Sequence, residues 1–91
     1  MKDDSLFKTW LTGRNSLGDK SARDVLSRLK RVSKYVDIST FESADETIFA
    51  LGSNQQFREL EMTVKSQLRR AVRLYYLFQE SLLKESQQIL F

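Results

Sequence analysis

The chain has 91 residues, of which 41% are hydrophobic and 30% charged, the balance of a single small globular domain rather than a disordered segment. Cysteine and histidine are both missing, which excludes disulfides, thiolate or imidazole metal sites, and the commonest acid–base and thiol chemistry. Fifteen basic against twelve acidic residues give a formal charge of only +3, so any polyanion partner must be read from where the charges lie, not from their total.

Proline is absent and the three glycines stand at 13, 18 and 52, a pattern suited to helices punctuated by short turns. The first helix is expected over 4–12, capped by Asp3 or Asp4. Leu6, Phe7, Trp10 and Leu11 form its apolar stripe, and Gly13 suits a left-handed stop. The second, over 20–36, places Ala22, Val25, Leu26, Leu29, Val32 and Val36 within about 120° of arc. VDISTF is the one β-branched cluster, too short to pair as a strand. Ser43 to Glu46 matches a capping box opening a third helix over 44–51, which runs through Ile48, Phe49 and Leu51 and ends at Gly52. A second box, Ser53 to Gln56, opens the strongest periodic run. Over 54–82, Phe57, Leu60, Val64, Leu68, Ala71, Val72, Tyr75, Phe78 and Leu82 hold one face for about seven turns. Residues 83–91 either extend that helix or form a short one of their own. The expected fold is therefore all-α, a compact single-domain bundle of four helices, or five if the tail is separate.

Charge is polarised along this framework. Residues 14–34 hold seven basic groups against Asp19 and Asp24, while residues 37–61 hold only Arg58 against six acids. On the second helix Lys20, Arg23, Ser27, Lys30, Arg31 and Lys34 cover about 100° of arc, opposite the apolar stripe. Like charges at i, i+3 and i+4 repel by a few tenths of a kcal/mol per pair, a cost that a polyanion relieves. Such a ridge on a random protein is more often a plain solvated face; here the scarcity of acids on it favours phosphate. Ser21, near the start of the same helix, could add a hydroxyl to a phosphate contact or could simply serve capping. On the last long helix Lys65, Arg69, Arg73 and Tyr76 follow at spacings of 4, 4 and 3, with Arg58 a turn or two earlier on the same line. Snorkelling over the core and pairing with Glu59, Glu61 or Glu80 is the bland alternative for that patch.

The run of LFKTWL, SARDVLSRLKRVSKY and VKSQLRRAVRLYYLF resembles the N-terminal core-binding domain of phage-integrase-type tyrosine recombinases, a four-helix SAM-like module of phage and mobile elements. Phe7, Trp10 and Leu11 match its first helix; Ser21, Val25, Leu26 and Leu29 its second; Ser66, Leu68, Arg69, Arg70, Ala71, Tyr75 and Phe78 its last. The resemblance covers about residues 5–80 and implies a role in DNA recombination, with the second and last long helices clamped across duplex DNA. The family's catalytic domain, with its arginine, histidine and tyrosine constellation, has no counterpart here, so catalysis is not expected.

The leading expectation is a non-catalytic DNA-binding module with no cofactor and no metal. It favours duplex DNA over RNA and contacts phosphates through Lys20, Ser21, Arg23, Ser27, Lys30, Arg31, Lys34, Lys65, Arg69, Arg73 and Tyr76. The competing expectation is a small helical adaptor or regulator that uses Ile89, Leu90 and Phe91 to hold a protein partner or to self-associate. No apolar run approaches the roughly 20 residues needed to cross a bilayer. MKDDSLF puts acids where a signal peptide needs an apolar stretch, so a cytoplasmic location and no membrane association are expected.

Overall fold

The structure, a computed structural model, describes the backbone of residues 4–89 and the side chains of residues 4–84. It is all-helical over that range, with no strand among the described residues. Five helices follow in order: α1 (Asp4–Gly13), α2 (Asp19–Val32), α3 (Ala44–Ser53), α4 (Gln55–Arg58) and α5 (Met62–Ile89), with a 3-10 turn at Ile38–Thr40 between α2 and α3.

Helix α5 is the axle. Its 28 residues run about 42 Å at 1.5 Å per residue, and α1, α2 and α3 all pack against it. The apolar stripes close two clusters along its length. Phe7, Leu11, Ala22, Val25, Leu29, Ala71 and Phe78 form one; Val32, Leu51, Phe57, Leu68 and Val72 form the other, and Ile38 touches both. In the first, the Phe7 ring meets Tyr75 edge-on at 5.6 Å and Phe78 at 5.2 Å. Pairs at such separations add about 0.5–1.5 kcal/mol each beyond the area they bury.

The first three expected helices form and the last is divided in two, and several ends are set by other groups than the sequence suggests. Gly13 does not adopt a left-handed conformation; Ser16 does, at φ 55°. Helix α2 stops at Val32 rather than 36. The Ser33 hydroxyl donates to Leu29 O, and Lys34 and Tyr35 N–H bond only three residues back, to Arg31 and Val32. Tyr35 lies in this turn, and its ring meets Phe57 edge-on at 6.2 Å.

The Ser43 cap works as expected, accepting from Glu46 N at 3.2 Å, but Glu46 returns its carboxylate to Glu42 N rather than to Ser43. Helix α3 then runs two residues past the expected end, and it buries Thr47 while leaving Phe49 exposed. The long helix expected over 54–82 is broken. Asn54, not Ser53, caps its first turn by accepting from Phe57 N at 3.0 Å, and its amide donates to Tyr35 O. One turn later the chain leaves helical geometry at 59–61, and α5 begins at Met62. The tail backbone extends α5 to Ile89; the side chain of Ile89, and Leu90 and Phe91, lie outside the described residues.

A candidate nucleic-acid interface

Because Ala22, Val25, Leu29 and Val32 are buried against the rest of the bundle, the opposite side of α2 faces solvent. Lys20, Arg23, Ser27, Lys30 and Arg31 stand there, all exposed, and Lys34 continues the line in the turn that follows. From Lys20 to Arg31 the ridge is about 16 Å long at helical rise. Ser21 is exposed too, but lies about 160° around the helix from Arg23, so it does not share this face.

Two carboxylates border the ridge. Asp19 accepts from Lys8 Nζ at 2.9 Å and from Arg23 Nε at 3.2 Å, and Asp4 lies 3.7 Å from Lys30 Nζ. The Lys8 ammonium, by hydrogen bond and charge, and then Arg23 hold the Asp19 carboxyl below the usual aspartate range. Both ridge pairs are wet, with the Arg23 and Lys30 side chains 65% and 64% exposed, and such pairs are typically worth under about 1 kcal/mol. A phosphate can displace them at little cost. Lys20, Arg31 and Lys34 form no ion pair among the described residues.

The second patch is weaker than its spacing suggests. Arg69 is half-buried, with its guanidinium 5.6 Å from the centre of the Phe57 ring, a cation–π contact that spends its fork on the core's edge. Lys65 is half-buried, and Arg73 lines a groove shared with Glu42, Asp45 and Glu80. Arg58 belongs to α4 and is not on the α5 line at all.

Tyr76 is turned inward. Its hydroxyl sits 2.8 Å from Thr47 Oγ1, 3.2 Å from Ile38 O and 3.1 Å from Phe41 O, tying the 3-10 turn and α3 to α5. The phenol's one proton is shared among these interior acceptors, which argues against its expected role as a phosphate contact.

The two patches do not merge. The ridge points away from α5, whereas Arg69 and Arg73 flank α5 on the side of α4 and α3. The sequence hides this, since the relative rotation of two helices comes from tertiary packing. The i, i+4 pairing of Asp19 with Arg23 was legible in the spacing; the Lys8–Asp19 link between helices was not. Among the described residues no group of histidine, cysteine, aspartate or glutamate side chains could hold a metal ion, and no helix is long and apolar enough to cross a membrane. In comparisons with known proteins, no family model, curated sequence or solved structure matches this chain.

Proposed function

We propose that this chain is a non-catalytic module that binds duplex DNA through the α2 ridge, a SAM-like relative of recombinase core-binding domains. The observation that carries the reading is a line of five cations, Lys20, Arg23, Lys30, Arg31 and Lys34, on the exposed side of one α-helix and its C-terminal turn. Duplex DNA offers one phosphate charge per about 1.7 Å of axis, so a 16 Å ridge faces several phosphates at once, and counterion release supplies most of the affinity. Asp19 gives up Arg23 on binding and keeps Lys8. Arginine and lysine in this role set position and orientation; sequence readout is secondary. Lys65, Arg69 and Arg73 join only if the DNA bends around the bundle.

Salt dependence tests this directly. Five neutralised phosphates on the ridge give a log–log slope of about −4.5, and engagement of both patches gives about −5 to −7. Fluorescence anisotropy with a generic labelled duplex between 50 and 200 mM salt (roughly the range over which such contacts lose orders of magnitude in affinity) reads the slope. A value near zero contradicts the proposal.

A further inference from the structure

A second surface lies on the flank where α3 meets α5. There a groove of about 430 Å³ runs between the start of α3 and the outer side of α5, from Arg73 to Leu83. Its floor is apolar, with Ala44, Leu77 and Leu83, and the two leucines are 51% and 65% exposed. Beside it Phe49, 80% exposed, projects from a shallower apolar hollow that shares Asp45 with the groove. Leu77 and Leu83 share one groove, and Phe49 stands in the hollow next to it across Asp45, so three exposed apolar side chains lie on this flank.

Within the groove and hollow acidic groups predominate, while on the far side of Leu77 and Glu80 an adjoining cleft carries Arg14 and Lys84. Glu42, Asp45, Glu46 and Glu80 border the groove and hollow, against the single guanidinium of Arg73. None of the four carboxylates forms an ion pair among the described residues. The groove spans Arg73 to Leu83 of α5, about 15 Å, which matches nearly three turns of an added helix.

We infer that this groove docks a basic amphipathic helix of another protein, with apolar residues at i, i+3 or i+4, and i+7 seated on Leu77, Leu83 and Phe49, and flanking lysines or arginines facing the carboxylates. A helix lying in a groove between two helices is a common recognition mode, and complementary charge fixes its partner choice. A second copy of the chain is a poorer occupant. The same face would bring a second set of excess carboxylates against the first, and the basic α2 ridge has no apolar stripe to fill the floor. The surface is independent of the DNA-binding ridge, so either reading stands or falls alone.

The test uses the full chain and an 18-residue helical peptide of leucine and lysine with leucines on one face, titrated by calorimetry. A scrambled peptide of the same composition and an amphipathic leucine–glutamate peptide serve as controls. The inference expects one-to-one binding of the basic amphipathic peptide and at least ten-fold weaker binding of both controls. The Leu77→Ser/Leu83→Ser double variant should lose ten-fold or more, Asp45→Lys/Glu80→Lys several-fold, and Arg31→Gln on the ridge nothing. Since all these positions are exposed, circular dichroism should show unchanged helicity. Equal binding of the scrambled peptide, or full binding by the leucine variant, overturns the inference. So does self-association in sedimentation that Leu77→Ser abolishes, because a second copy would then own the groove.

Discussion

Replacing Tyr76 with phenylalanine removes one oxygen and leaves three groups without it: Thr47 Oγ1 at 2.8 Å, Ile38 O at 3.2 Å and Phe41 O at 3.1 Å. A phenol has one proton and can also accept. It therefore donates toward the carbonyls and accepts from Thr47, or divides these roles the other way. Thr47 is fully buried, and its hydroxyl is also within 3.0 Å of Ser43 O, so it keeps one partner when Tyr76 loses its own. The two carbonyls lose a neutral donor in a half-buried setting where water reaches only in part. A lost hydrogen bond with partly stranded acceptors costs about 1–2 kcal/mol. In a domain of this size that lowers Tm by about 5–10 °C. Thr47→Val tests the same link from the other side, and the Tyr76→Phe/Thr47→Val double variant should cost less than the sum of the singles by about 0.5–1 kcal/mol. Urea denaturation with a shared m-value gives each figure, and anisotropy at fixed salt gives DNA affinity, expected within two-fold of the parent. Unchanged stability together with a ten-fold loss of DNA affinity would refute the inward role of this hydroxyl.

Other expectations follow from the same geometry. Leu29→Ala, at a fully buried position, should cost about 2–5 kcal/mol, a large part of the roughly 5–14 kcal/mol available to a chain of this length, read by denaturant midpoint. Asp19→Asn should raise DNA affinity two-fold or more by releasing Arg23 and removing a negative charge from the ridge; weaker binding would contradict the border role of Asp19. Because the folded-state pKa of Asp19 is depressed, its stabilising contribution is present above the ordinary aspartate range. It is lost as pH falls through the lower folded value, so the acid limb of a stability–pH curve should flatten slightly in Asp19→Asn. Arg69→Ala should lower stability by about 0.5–1 kcal/mol through loss of its stack on Phe57, and reduce DNA affinity less than Arg31→Ala does at the same salt.

The helical class and most of the core were legible because periodicity reports burial directly. Every apolar position assigned to the α2 stripe is buried or half-buried, and Leu68, Ala71, Val72 and Phe78 of α5 lie in the two core clusters. Helix ends were less legible, since they turn on single hydrogen bonds. Asn54 caps where Ser53 was expected, and Ser33 closes α2 four residues early. Site geometry was the least legible. Spacing put Tyr76 on a line with Arg69 and Arg73, but its hydroxyl is claimed by carbonyls 35 and 38 residues away, which no local pattern reveals. The exposure of Phe49, which the third helix's sequence alone does not settle, has the same origin: α3 meets α5 through Thr47 and Leu51, and those contacts set its rotation.

Among all these measurements, backbone chemical-shift mapping with a generic duplex bears most directly on the claim that one exposed helix side is the polyanion surface. Amides and side chains over 20–34 should shift on titration and recover as salt is raised, with Asp19 and Lys8 following Arg23, and with Leu77 and Phe49 silent. Shifts confined to α3 and the outer side of α5, or none at low salt, would contradict it.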